Sequence, residues 1–107
     1  MSRKEVKAFI HRNRVADVVS ALNRADFHNI SVVDVQGILR TISNDQNHYS
    51  VEIGQKVVNE VKLELVCDND SRVVDAVNAI REHAKTGKPS AGWIFITEIQ
   101  SAIEITA

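Results

Sequence analysis

The chain has 107 residues, of which 44% are hydrophobic, and its 13 Lys plus Arg nearly balance its 14 Asp plus Glu. This length and composition predict one soluble globular domain with a core of its own. A nucleic-acid partner is not expected, because that needs a clustered basic face. The lone cysteine, Cys67, excludes an internal disulfide, and its apolar surroundings predict a buried, inert thiol. No apolar run approaches the roughly 18 residues of a membrane span, so we expect a cytoplasmic protein.

The first part of the chain predicts a strand, a helix and a second strand. Apolar and polar residues alternate from Lys4 to Ile10, which predicts a strand with one buried face. Asn13 is the predicted N-cap of the helix that follows. The apolar residues of that helix keep helical spacing. They are Val15, Val18, Val19, Leu22 and Ala25. The second strand is predicted from Ile30 to Gln36.

The second part of the chain repeats this order. Alternation from Val61 to Cys67 predicts a third strand, and the turn at 68–71 supplies the N-cap of a second helix. The spacing of this helix is marked by Val73, Val74, Val77, Ile80, Arg81 and Ala84. Gly87 is its predicted stop. Residues 93–96 predict a fourth strand, and 102–106 a short last one.

The order of these elements, βαββαβ, predicts an α+β sandwich of the ferredoxin-like, split βαβ kind, as a single domain over residues 1–107. Both helices are expected on one face of an antiparallel sheet. The other face keeps apolar residues and needs a cover. In so short a chain the natural cover is another copy of itself.

A long segment, Gly37–Glu60, separates the second and third strands and has no sustained period. Most connections in compact domains have roughly four to six residues, so we interpret this one as functional, with a loop at about 41–56. Its polar stretch predicts mobility without a partner. The alternative is a protruding hairpin, because Tyr49–Ile53 alternates. The residues it could present to a partner protein are Tyr49, Val51 and Ile53.

Sequence motifs for catalysis and metal binding are weak. No two histidines stand three or four residues apart, there is no Cys-x-x-Cys, and no serine lies in a Gly-x-Ser-x-Gly turn. We therefore expect neither an enzyme nor a metal site within one chain. Phosphate binding has better support, because the small residues of Thr86–Gly92 let backbone N–H groups approach an anion. This segment is not a P-loop, since Pro89 follows Gly-Lys, and the alternative is a plain helix stop and turn.

The chain from Thr86 to Phe95 resembles the signature T-G-K-x-G-D-G-K-I-F of the PII signal-transduction family. The matching residues are Thr86-Gly87-Lys88, Gly92 and Ile94-Phe95. Val35–Arg40 resembles the family's V-K-G-F-G-R, and the long segment has the length of its T-loop. The resemblance implies a ferredoxin-like homotrimer that regulates and does not catalyse. It also implies an adenine nucleotide (ADP, AMP or ATP) bound between subunits, and a target protein, such as a membrane transporter, contacted through the loop.

The resemblance implies a nucleotide site built from two segments of the chain. Its residues are Gly37, Ile38, Leu39, Arg40, Lys88, Ser90, Ala91, Gly92 and Trp93. Trp93 stands where the family has a lysine. Two interpretations of it stay open: the indole lies against the ligand, or it fills the space that the lysine left.

Several positions depart from the family pattern. Ile53 replaces the modified loop tyrosine, and Glu60 replaces the lysine that holds 2-oxoglutarate. Glu104 and Thr106 replace two phosphate-binding arginines. Each lost arginine removes a bidentate contact, and Glu104 repels a γ-phosphate, so ADP or AMP is expected rather than ATP.

Two alternatives remain at this point. His11–Arg14 is similar to a divergent branch of the family found beside heavy-metal efflux or other transporters. One alternative is therefore a metal-responsive trimer, in which histidines such as His48 meet across chains. The other is an interaction module with an empty cleft.

Overall fold

The computed structural model describes residues 3–34 and 60–107. In chain order its elements are β1 (Lys4–His11), a 3-10 helix (Arg12–Arg14), α1 (Val15–Arg24), β2 (Ser31–Asp34), β3 (Glu60–Cys67), α2 (Asp70–His83) and β4 (Gly92–Glu98). The strands form one antiparallel sheet in the order β2-β3-β1-β4. This is the predicted ferredoxin-like α+β arrangement. The predicted loop at 41–56 lies outside the described residues, as do the last two residues of the predicted second strand.

The core lies between one face of the sheet and both helices. Every second residue of β1 and β3 points into it, and these side chains are at most 3% exposed. They are Val6, Ala8, Ile10, Val61, Leu63, Leu65 and Cys67. Both helices contribute to the same cluster, through residues such as Leu22 of α1 and Ile80 of α2. The predicted alternation, and the placement of both helices on one face, are confirmed.

The opposite side of the sheet carries charged and aromatic side chains instead. We call it the open face. It consists of Glu5, Lys7, Phe9, Lys62, Glu64, Trp93 and Phe95. The ring of Phe95 lies edge-on to Phe9 at 6.0 Å and is stacked with Trp93 at 6.5 Å, both measured between ring centroids. Trp93 is 63% exposed and Phe95 is 50% exposed, so the sheet leaves an aromatic cluster in contact with solvent.

The start of α1 differs from the prediction. Asn13 is not its N-cap, because a turn of 3-10 helix precedes α1 and contains this residue. His11 caps that turn: its Nδ1 accepts a hydrogen bond from the N–H of Asn13 at 3.2 Å. Arg14 then occupies the N-cap position of α1 and makes no side-chain capping bond. The cap lies two residues earlier than predicted because the 3-10 helix begins directly after β1 ends.

The start of α2 agrees with the prediction and its end does not. Asn69, within the predicted turn, caps the helix by accepting the N–H of Arg72 at 3.0 Å. The helix ends at His83, before the predicted stop at Gly87. Gly87 has a φ of 82° and lies in the turn that leads towards β4. The glycine therefore serves the turn and not the helix end.

The chain beyond β4 forms no strand, so the predicted short strand at 102–106 is wrong for the isolated chain. Ile99 still donates a backbone hydrogen bond to the carbonyl of Arg3 at 3.0 Å. Farther on, Ile103 is 87% exposed and Ile105 is 97% exposed. Alternation alone does not make a strand, because a strand needs a neighbour to accept its backbone hydrogen bonds.

Candidate functional site

A cavity of about 630 Å³ lies at the end of the sheet where β1 stops and β3 begins. We call it the polar cavity. It is lined by His11, Asn13, Arg14, Glu60, Lys85, Thr86, Lys88, Pro89, Ser90 and Ala91. Three parts of the chain meet here: the turn after β1, the first residue of β3, and the connection from α2 to β4. Its volume is in the range of ordinary small-molecule pockets, which is roughly 300–1,000 Å³.

The first wall of the polar cavity is the turn that follows β1. The β1–β3 register places His11 directly opposite Glu60. Arg14 is held from two sides. Its Nε donates to the carbonyl of His83 at 3.0 Å, and its guanidinium pairs with Asp17 at 3.0 Å. Arg14 thus joins the end of α2 to the start of α1, and Asp17 offsets part of its charge.

Arg12, the neighbour of His11, fixes this turn to the edge of the sheet. Its two terminal nitrogens donate to the two carboxylate oxygens of Asp34, at 2.7 and 2.8 Å. Paired, two-point contacts of this kind are among the stronger hydrogen bonds in proteins. The hydrogen bond to Asp34 is also the main reason that the pKa of Arg12 is raised. Asp34 is the last residue of β2, so the contact links β2 to the rim of the polar cavity.

The second wall is the connection from α2 to β4. Thr86 Oγ1 accepts the backbone N–H of Lys88 at 3.4 Å. Gly87 has a φ of 82° and Ser90 a φ of 60°, both in the left-handed region. Such values are uncommon for a residue with a Cβ, and at Ser90 they carry a modest strain. The two left-handed residues fold this connection into a tight turn beside the cavity.

Gly92 is needed for packing at the start of β4. It has a φ of 154°, and a Cβ at this position would collide with the carbonyl oxygen of Phe9. Glycine therefore lets β4 approach β1 closely at the place where the connection enters the sheet.

The described wall of the polar cavity has an excess of positive charge. Arg14, Lys85 and Lys88 contribute cations, and Glu60 is the one carboxylate among the lining residues. Lys85 pairs with Glu82 at 3.3 Å, in an ion pair that is mostly exposed. A concave surface of one predominant charge raises the local concentration of ligands of the opposite charge. The geometry therefore suits an anionic ligand.

The structure separates the predicted nucleotide-binding residues into groups. Lys88, Ser90 and Ala91 line the polar cavity. Gly92 and Trp93 instead line a second, apolar cavity of about 500 Å³ between α2 and β4, and Ala91 borders both. The predicted residues Gly37, Ile38, Leu39 and Arg40, and the predicted partner-binding residues Tyr49, Val51 and Ile53, lie outside the described residues.

Sequence reasoning did not find four residues that line the polar cavity: His11, Asn13, Arg14 and Lys85. The first three belong to a polar stretch, H-R-N-R, that interrupts the pattern between β1 and α1. That stretch was the available signal. Its relation to the Thr86–Gly92 segment depends on the strand order, which places the end of β1 beside the start of β4.

Metal ligands do not cluster in the part of the chain that the structure describes. No group of three or more His, Cys, Asp or Glu side chains meets there, and His48 lies outside it. Cys67 is 1% exposed, as predicted, and its burial raises the pKa of the thiol. Nor does any helix among the described residues have the length and apolar character to cross a membrane.

These features define a ferredoxin-like α+β protein with a cavity suited to an anionic ligand at one end of its sheet. Residues 3–107 match the family described as nitrogen regulatory protein P-II, and the chain belongs to this family. It is similar to nitrogen regulatory protein P-II 1 of Methanothermobacter thermautotrophicus, with 28% identity over 102 residues covering 95% of this chain and 88% of that one. The similarity to nitrogen regulatory protein P-II of Rhodobacter capsulatus is 32% identity over 102 residues, covering 95% and 90%.

A solved structure gives the same result for the fold. The crystal structure of Arabidopsis thaliana PII bound to citrate superposes with a TM-score of 0.64 and 28% identity, over 89% of this chain and 75% of that one. The predicted resemblance is confirmed.

Proposed function

We propose that this protein is a cytoplasmic regulator, not an enzyme, that binds an adenine nucleotide between the subunits of a homotrimer. Through its loop at about 41–56 it controls a partner protein, for which a membrane transporter is the candidate. One observation carries the proposal. The cationic polar cavity lies where β3 begins, at Glu60, so its wall includes the last residue of the long segment between β2 and β3. A ligand there is well placed to influence that segment.

The charge of the cavity favours ADP or AMP over ATP. Arg14 is paired with Asp17, and Lys85 is paired with Glu82, which leaves Lys88 as the main cation for a phosphate group among the described lining residues. Glu60 adds a negative charge to the same wall. Each further phosphate group adds negative charge near that carboxylate, and no further cation among the described lining residues matches this repulsion.

The trimer is supported by the open face. Trp93 and Phe95 form an exposed aromatic cluster there on β4, in contact with Phe9 of β1. Exposed aromatic surface of this kind marks a contact site, and a symmetric assembly of identical chains is the most economical way to cover it. The family to which the chain belongs supports the same assembly.

Calorimetric titration with AMP, ADP and ATP tests the nucleotide part. Lys88→Ala should weaken binding of the preferred nucleotide by roughly tenfold or more, because a hydrogen bond to a charged group contributes about 1.5–3 kcal/mol. Lys4→Ala is the matched control. Lys4 pairs with Asp70 at 2.7 Å, and it begins β1, whereas the cavity lies where β1 ends. This control should bind as the wild type does.

Two results would contradict the nucleotide proposal. One is the absence of any heat of binding for all three nucleotides at about 1 mM, the weak end of ligand affinity. The other is an equal loss of affinity in Lys88→Ala and Lys4→Ala. Calorimetric titrations of the same protein with zinc and copper test the metal-responsive alternative. No cluster of metal ligands among the described residues favours it.

The partner part of the proposal rests on the sequence of residues 41–56. Deleting residues 43–53 should leave the number of subunits and the thermal midpoint unchanged, because the proposed role of this segment is contact with another protein. A clear loss of thermal stability would instead support the alternative in which the segment is a hairpin packed on the body of the protein.

A further inference from the structure

His11 holds the turn beside the polar cavity in a way that depends on its protonation. Its Nδ1 accepts the backbone N–H of Asn13 at 3.2 Å and so caps the 3-10 helix that follows β1. Because a backbone N–H can only donate, Nδ1 carries no proton in this state. An imidazolium has an N–H on both ring nitrogens and accepts no hydrogen bond. Protonation of His11 therefore breaks the cap.

The described cations near His11 belong to this turn and to the connection after α2, and they favour the neutral imidazole. They are Arg12, Arg14, Lys85 and Lys88. Three of them are paired with carboxylates, which offset part of their charge. These pairs are Arg12 with Asp34, Arg14 with Asp17, and Lys85 with Glu82.

β3 contributes the opposing charge. The β1–β3 register places Glu60 directly opposite His11, and a neighbouring carboxylate favours the protonated imidazole. Lys62, two residues along β3, is paired with Glu64 at 2.9 Å. The first two residues of β4, beside the end of β1, are uncharged. The surroundings thus support both charge states of a side chain that ordinarily changes its charge between about pH 5 and 8.

We propose that His11 is a proton switch for the polar cavity. Without the proton it caps the turn. With the proton it releases the cap and adds a cation to a wall that already suits an anion. An anion in the cavity and a proton on His11 then favour each other, because coupling between two bound species is reciprocal. The anion part rests on the proposed function, whereas the release of the cap does not.

The released turn lies between two fixed points. Arg12 is tied to Asp34, the last residue of β2, at 2.7 and 2.8 Å. Arg14 is tied to the carbonyl of His83, at the end of α2, at 3.0 Å. A change in the charge of His11 therefore reaches the residue directly before segment 35–59.

The first test needs no ligand. NMR spectra of the ¹⁵N-labelled full chain, recorded from about pH 5.5 to 8, follow the Asn13 amide together with the His11 ring. The Asn13 amide proton should move to higher field as the pH falls, with the same midpoint as the His11 ring, because its hydrogen bond is lost. His11→Asn should lose this transition, since the amide oxygen of Asn caps the turn at every pH. The proposal is overturned by an Asn13 amide that does not follow His11, or by a His11 ring that keeps one charge throughout.

The second test measures the coupling to an anion. Sulfate is the probe because it keeps the same charge over this range, whereas phosphate monoesters change theirs near about pH 6. Its affinity, followed through the Lys88 amide, should rise roughly fivefold from about pH 8 to about pH 5.5, the effect of one added charge at about 4 Å in water. His11→Asn should abolish this rise.

Calorimetry with ADP gives a second measure of the same coupling. Titrations in two buffers of different ionisation enthalpy count the protons taken up on binding. At about pH 7 the wild type should take up more protons than His11→Asn does. The titration of the nucleotide phosphates is common to both proteins and cancels in the difference.

The other three histidines provide matched controls. His28 pairs with Asp26 at 3.0 Å and lines a different cavity, His83 ends α2, and His48 lies outside the described residues. Replacing each of them by Gln should leave the rise in sulfate affinity unchanged. If one of these variants abolishes the rise and His11→Asn keeps it, the proposal is wrong.

The outcomes separate this inference from the proposed function. A sulfate affinity that does not depend on pH, with equal proton uptake in the wild type and His11→Asn, overturns the switch and leaves the anion site standing. The absence of binding of sulfate and of every nucleotide at both ends of the pH range overturns the anion part of both.

Discussion

The two faces of the sheet are built from the same strands and have opposite properties. Along β3, Leu63 and Leu65 are at most 3% exposed, whereas Lys62 and Glu64 between them form an ion pair at 2.9 Å on the open face. The helices cover the first face over the two central strands, β1 and β3, within one chain. The second face carries charged side chains and the exposed aromatic rings of Trp93 and Phe95. We conclude that the covered face stabilises the fold and that the open face is available for assembly.

Truncation on the covered face should have the largest effect. Leu63 is fully buried and belongs to the core shared by both helices, so Leu63→Ala should lower the free energy of unfolding by about 2–5 kcal/mol. Urea denaturation followed by circular dichroism measures it. Lys62→Ala, one residue away on the open face, is the control and should change stability by less than about 1 kcal/mol. Equal losses would mean that the two faces do not differ in the way described.

β4 lies close to β1 where it begins, at Gly92. Two glycine variants test how close this approach is. Gly92→Ala introduces a collision with the Phe9 carbonyl as well as an unfavourable φ, and should cost about 1–3 kcal/mol. Gly87→Ala has a positive φ but nothing within 4 Å of the added carbon, so it should cost about 1 kcal/mol. Thermal denaturation ranks the two. A larger loss for Gly87→Ala would contradict the close approach of β4 to β1.

A charge on the open face should affect assembly more than folding. Phe95→Asp puts a carboxylate into the aromatic cluster with Phe9 and Trp93, and should weaken self-association by roughly tenfold or more while the circular dichroism spectrum is kept. Sedimentation equilibrium measures the association. Val74→Asp is the control, since Val74 is an exposed position on α2, at 56%. If both variants assemble as the wild type does, the open face is not the contact surface.

The smallest expected effect concerns pH. The hydrogen bond from Lys62, with the charge of Lys7 adding to it, lowers the pKa of Glu64. A lowered carboxylate pKa means that its contribution to stability is present above the ordinary pKa near 4.5 and is lost as the pH falls through the folded-state value. Glu64→Gln should therefore be slightly less stable at pH 7 and have a flatter stability profile below about pH 4.5. Identical profiles for variant and wild type would rule out this contribution.

Periodicity in the sequence predicted the fold well because a strand buried on one face has an apolar residue at every second position. Val6, Ala8 and Ile10 alternate for that reason, and the cap at Asn69 follows from local hydrogen bonding. Asn13 was a wrong N-cap, because spacing does not separate a lead-in turn of 3-10 helix from the helix itself. The alternation at 102–106 was read as a strand, but no neighbour for it exists within the described chain.

The candidate site was less predictable because it is assembled from distant parts of the chain. His11, Glu60 and Lys88 meet through strand register and one tight turn, and no single motif contains all three. The Thr86–Gly92 segment was found because its small residues and its resemblance to the family signature are local. For Trp93 the structure adds a place, since its ring lies on the open face stacked with Phe95. Titration of the nucleotides followed by Trp93 fluorescence decides between its two interpretations.

The contact between Arg12 and Asp34 has a thermodynamic consequence. It joins the turn at the polar cavity to the last residue of β2, directly before residues 35–59. A ligand that displaces the turn therefore acts on the point where this segment leaves the sheet. Coupling between two binding events is reciprocal, so the factor by which a ligand changes the affinity for a partner held by that segment equals the factor by which the partner changes the affinity for the ligand. Arg12→Lys, which keeps the charge and loses the paired geometry, should reduce both factors together.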